Sequence, residues 1–143
     1  MAATTTMIEF ADSLDCERDD FVLRVPAEIR SKADLLAVLA SAGHFPDYFG
    51  GNWDALQDCL RDLSWIGNRK VVVVHSDLPL RENPAECRNY LEILQTVLAD
   101  WSENVKPDAA EFPPDWPYVD HELRVVFPLK TKAVIARLVV GSR

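Results

Sequence analysis

Long apolar runs are missing from this sequence. No stretch approaches the roughly 18 consecutive apolar residues of a membrane span, so no transmembrane helix is expected. The N-terminal residues MAATTTMIEFADSL lack a basic start followed by a sustained apolar run, which argues against a secretory signal. Cysteine is scarce: Cys16, Cys59 and Cys87 are odd in number and show no metal-ligand spacing. With no disulfide framework to read, the reducing cytoplasm is the expected location. Glycine is scarce too, and Gly50-Gly51 is too short a run to cradle a phosphate. No Ser-His-Asp or Cys-His order points to a nucleophile, and no cofactor is expected. Basic residues are outnumbered, 15 Lys and Arg against 23 Asp and Glu, for a formal net charge of −8. Such a surface repels nucleic acid and attracts basic partners. The chain has neither an internal repeat nor a low-complexity tract.

What the chain does have is apolar residues in number, 48% of 143, enough for one good core in a single domain. Its most informative stretch is FPDYFGGNWDALQDCLRDL, from Phe45 to Leu63. Asn52 marks a helix start, and at about 100° per residue Trp53, Leu56, Leu60 and Leu63 share one face. Asp54, Asp58 and Asp62 cluster nearly opposite. Like charges four apart on a helix repel by roughly 0.2–0.5 kcal/mol per pair. Arg61, three residues beyond Asp58, relieves part of that repulsion. Two readings stand side by side. An acid in the first turn is favoured by the helix dipole, and a charged face is usually just solvated surface. Against that, Tyr48, Phe49, Gly50 and Gly51 set rings and a pliable backbone beside the acids. Loops on a rigid scaffold and aromatic anchors are the usual material of binding surfaces.

Strand and helix patterns alternate along the rest of the chain. Residues through Thr6 are expected to be mobile, and Met7 to Asp20 to form an acidic extension with an amphipathic patch at Met7, Ile8 and Phe10. Phe21–Val25 reads as a strand. A helix follows from Ser31 or Lys32 to about Ala42, with Leu35, Leu36, Val38 and Leu39 inward and Gly43 as a left-handed cap. Lys70–His75 carries four consecutive valines, the pattern of a strand covered on both faces. Asn83 caps a helix with Pro84 at its first position, running to about Trp101. A proline-rich, acidic segment within 103–120 is too long and irregular for an ordinary connection. Leu123–Phe127 is the third strand. This alternation implies an α/β fold with a parallel sheet. The apolar tail, 128–143, needs burial as a strand, a helix or a self-association surface.

The loop and acidic helix resemble the barstar family, inhibitors of the ribonuclease barnase. The shared pattern reads Pro46-Asp47-Tyr48-Phe49-Gly50-Gly51-Asn52-Trp53-Asp54-Ala55-Leu56-Gln57-Asp58-Cys59-Leu60. The run from Phe21 to Leu39 is similar to the family's first strand, turn and helix. The resemblance implies a three-stranded parallel sheet with helices packed on it. It places a barstar-like domain at 21–127, carrying an insertion at 103–120, between an extension at 1–20 and another at 128–143.

What the resemblance implies for function is an active-site plug made by the acidic helix and the loop before it. A ribonuclease holds phosphate with cationic side chains, so spaced carboxylates can stand in for it through charge-assisted hydrogen bonds. Asp58 matches the family's central acid and Asp54 its companion. Tyr48 and Phe49 match the aromatic pair, and Gly50 and Asn52 the loop and helix start. Asp62 adds charge beyond the usual pair, and Asp100 of the long helix is a candidate to extend the patch. Phe49 lacks the hydroxyl of a second tyrosine, Gly51 replaces an acid, and Gln57 and Leu63 replace tryptophans. The acids are kept while their apolar surroundings differ, which implies a basic nuclease other than barnase. Two further readings stay open. Asp54, Asp58 and Asp62 could hold Mg²⁺ with His44 or His75 assisting catalysis. Alternatively the same fold could serve as an immunity or binding protein against a toxin that is not a ribonuclease, or as a scaffold bound through the tail.

Overall fold

The computed structural model describes residues 8–13, 17–46, 50–63, 65–68, 70–102 and 121–140. Residues through Thr6, the insertion at 103–120 and the loop rings of Tyr48 and Phe49 therefore lie outside the described residues. In chain order the elements are β1 (Glu9–Phe10), β2 (Phe21–Val25), α1 (Lys32–Ala42), α2 (Trp53–Asp62), β3 (Lys70–His75), α3 (Pro84–Ser102), β4 (Glu122–Phe127) and α4 (Lys132–Val140). A short 3-10 turn, Leu129–Thr131, joins β4 to α4.

The sheet has four parallel strands among the described residues, in the order β1-β4-β3-β2, rather than three. The added strand is β1. Two residues are too few to show a period, so nothing local announces it. It is held by tertiary contacts instead. Glu9 lies opposite Val126 and Phe10 opposite Phe127. The Arg124 guanidinium grips Glu9 at 2.9 and 2.7 Å, a two-pronged pair that reaches across the strands. That bond also raises the pKa of Arg124.

Membership of the helix-covered core alternates along the strands and sorts the two faces. Leu23 and Val25, Val71 and Val73, and Leu123, Val125 and Phe127 join the core that the helices cover. Arg24, Lys70, Val72, Val74, Glu122, Arg124 and Val126 occupy the alternate positions and so the opposite face. β3 pairs on both edges, which explains its run of valines: Val71, Val72 and Val73 are all buried.

Local signals act as expected at most helix ends. Ser31 accepts from the Asp34 amide at 3.1 Å, and Asn83 from that of Glu86 at 3.3 Å. Gly43 caps α1, but not in a left-handed conformation: its φ is −91°, and the left-handed residue is His44, with φ 55°. Glycine serves there for space. A Cβ at position 43 would lie 2.7 Å from the Phe45 ring and 2.9 Å from the Leu39 carbonyl oxygen. Val38 is only half-buried, since Leu35, Leu36 and Leu39 already fill the inward face. The apolar tail is a helix, α4, that sets Ile135 into the core and packs on α3. Arg88 donates to the Leu138 carbonyl at 3.1 Å and so satisfies one of its terminal acceptors.

Candidate functional site

The acidic helix α2 is fixed on every side but one. At its start the Asn52 side chain accepts from the Ala55 amide at 2.7 Å. Leu56, Cys59 and Leu60 are buried against the core. Trp53 wedges between α2 and α3: its ring stacks on Tyr90 at 6.2 Å, and its indole N–H donates to Glu86 at 3.0 Å. The Lys32 ammonium sits 5.4 Å from the same ring, a cation–π contact that ties in the first turn of α1. The Glu86 carboxyl is held below the usual range by the hydrogen bonds from Trp53 and Asn89.

The far end of α2 is finished by side chains from other elements. The Trp101 indole N–H donates to the Leu60 carbonyl at 2.9 Å. His121 Nε2 donates to the Leu63 carbonyl, also at 2.9 Å. Helix C-termini leave carbonyls without partners, and here two of them are met from α3 and from the residue before β4. Leu63 itself turns left-handed, φ 51°, while keeping its side chain fully buried. Arg61 reaches across to Asp100 on α3 at 2.9 Å. That corrects the expectation for Asp100: its charge is matched by Arg61 and does not extend the acidic patch.

What remains facing outward are Asp54, Asp58 and Asp62, all exposed. Among the described residues Asp54 and Asp58 accept no hydrogen bond and join no ion pair. Asp54 sits where the helix dipole favours a carboxylate, but Asp62 ends the helix, where the dipole disfavours one. Gly50 and Gly51 lie immediately before the cap, and Gly51 takes a positive φ of 72° that suits glycine. The structure therefore brings Gly50, Asn52, Asp54, Asp58 and Asp62 into one continuous surface.

The same geometry bears on the catalytic alternatives. Eight residues of helix rise separate Asp54 from Asp62 by about 12 Å, too far to share one ion. Among the described residues no group of three or more metal-ligating side chains converges. Burial, helped by Asp62 and Asp58, pushes the Cys59 thiol up to about 11, so it stays protonated. His75 is buried under α3. Its Nδ1–H donates to the Val126 carbonyl at 3.0 Å, its Nε2 accepts from the Tyr90 hydroxyl at 2.7 Å, and its ring stacks on Phe127 at 3.8 Å. Burial pulls its pKa down to about 4. It is a structural histidine.

Little in the local spacing announces that Trp53, Glu86, Trp101 and His121 hold the acidic helix. Their one available signal was an aromatic residue at the first helical position. Among the described residues no helix is long and apolar enough to cross a membrane. No curated protein and no solved structure matches the chain. A family model does: the one described as Barstar (barnase inhibitor) matches residues 21–112, a span that includes the loop and the whole of α2.

Proposed function

The chain belongs to the barstar family, and we propose that it inhibits a basic ribonuclease by laying α2 and the preceding loop into the enzyme's active site. The observation that carries this reading is the pair Asp54 and Asp58, exposed and without a partner among the described residues on a helix anchored at both ends. A ribonuclease site holds phosphate with cations, and carboxylates one turn apart can take its place. Asp58 is central and Asp54 supports it. Asp62 adds steering charge, and Tyr48, Phe49, Gly50 and Asn52 supply the rim and its shape.

Anchoring matters because binding is weakened by whatever must be ordered on contact. Here the helix is ordered beforehand by Trp53, Trp101 and His121, so little of that loss falls on α2. Residues 21–127 form the inhibitory domain in this reading, with the segments before and after it as extensions. The deciding experiment is inhibition of RNA cleavage by a panel of small basic microbial ribonucleases, wild type against Asp58→Ala. Stoichiometric inhibition is expected for at least one enzyme, with a loss of about 2 kcal/mol or more in the variant. Inhibition unchanged by the substitution would remove α2 as the plug. Inhibition of none of them would move the search to a basic partner of another kind.

A further inference from the structure

We propose that the sheet face turned away from the acidic helix carries a second site, a cleft for a small organic monoanion such as a carboxylate or sulfonate with an apolar body. The cleft encloses about 450 Å³ at the C-terminal ends of the strands. That is within the roughly 300–1,000 Å³ typical of small-molecule sites, and open parallel sheets commonly bind ligands at those strand ends. Its floor is apolar: Val74 and Val126 are register partners on adjacent strands. Arg24 lies in the same row on the edge strand β2, opposite Val74. Lys130, from the turn after β4, lines the cleft together with Ser13 and Ser76.

The charge pattern singles this place out. On this face the other cations already have acids: Arg124 grips Glu9, and Lys70 lies 3.8 Å from Glu17. Arg24 is exposed, and among the described residues no carboxylate pairs with it. Lys130 has only a 3.8 Å contact with Asp77, an acid that Arg81 holds at 2.7 Å. In a chain of net charge −8, two under-matched cations bordering one cleft stand against the general trend. The third charged wall residue, Asp12, is engaged by the Leu129 amide at 3.0 Å. Arg24 and Lys130 against Asp12 leave one net positive charge, which suits a monoanion and disfavours a dianion. The sheet and core separate the cleft from α2, so an occupant leaves the acidic surface free. This site stands whether or not the partner of α2 is a ribonuclease.

The test uses the full chain and the dye 8-anilino-1-naphthalenesulfonate, an apolar body bearing one sulfonate, beside its neutral analogue N-phenyl-1-naphthylamine. Fluorescence titration is expected to show one sulfonate dye per chain. The Arg24→Gln/Lys130→Gln double variant, altered only at exposed side chains, is expected to weaken it about tenfold, the worth of screened charge-assisted contacts. The neutral dye should bind more weakly and ignore both substitutions. Amide shifts in the NMR spectrum should centre on Arg24, Ser76 and Lys130. No binding of the sulfonate dye, binding unchanged in the double variant, or equal binding of the neutral dye would each overturn the proposal.

Discussion

Acidic side chains do opposite work on the two sides of this molecule. Behind the sheet, Glu9 is matched to Arg124 and Glu17 approaches Lys70. On α2, Asp54 and Asp58 are exposed with no such match among the described residues. The one cation on that helix, Arg61, turns to Asp100 instead. The difference teaches how to read acidic composition. Paired acids stabilise a fold, whereas like charges left open one turn apart on an anchored helix repel each other and stay accessible to a partner. Net charge alone does not distinguish the two.

The largest expected effect tests the core between the two regions, where titration rather than pairing is at stake. His75 has an ordinary pKa of 6.5 and is held near 4 in the fold. The unfolded chain therefore binds a proton that the folded chain refuses between those values. Stability from this group is complete above pH 6.5 and is lost as pH falls toward 4, on the order of 3 kcal/mol in all. Urea unfolding at stepped pH checks it, and a flat profile across that window would count against the buried, neutral imidazole.

Next comes the acidic face. Asp58→Ala should weaken inhibition by about 2 kcal/mol while barely moving the melting temperature, because no contact that holds the fold is lost. Equal losses of binding and stability would erase the contrast between the two regions. Steering belongs to the same face, so association with a basic partner should slow sharply with added salt while dissociation changes little. Stopped-flow rates at two ionic strengths decide that point.

A smaller effect is expected from the paired region. Arg124→Met should cost about 1 kcal/mol of stability, since its pair with Glu9 is partly exposed and screened, and should leave inhibition intact. Reduced inhibition in that variant would mean the two faces are coupled. Smallest of all, Asp58→Asn should stabilise the fold by roughly 0.2–0.5 kcal/mol through relief of the like-charge pairs with Asp54 and Asp62, a change differential scanning calorimetry can bound.

Much of this was legible in advance, and for identifiable reasons. Ser31, Asn52 and Asn83 are caps whose short polar side chains satisfy helix amides three residues away, a local act. The valine run of β3 announced burial on both faces because apolar content without alternation has few other solutions. The loop and α2 carried a family pattern long enough to be specific. Other features had no local trace. β1 depends on Arg124, more than a hundred positions away in sequence, and Gly43 is dictated by the Phe45 ring and the Leu39 carbonyl. The match of Arg61 to Asp100 joins two helices whose relative placement no spacing rule supplies.

The sequence by itself determined the order of elements, the apolar faces, the caps and the row of aspartates, because each is set by side-chain chemistry within a few residues. Only the tertiary structure decided which acids remain open and which are matched, that the N-terminal segment adds a fourth strand, and that two cations border a cleft behind the sheet. Those outcomes rest on Coulomb and hydrogen-bond contacts that act over a few ångströms in space, between residues the chain brings together only when it folds.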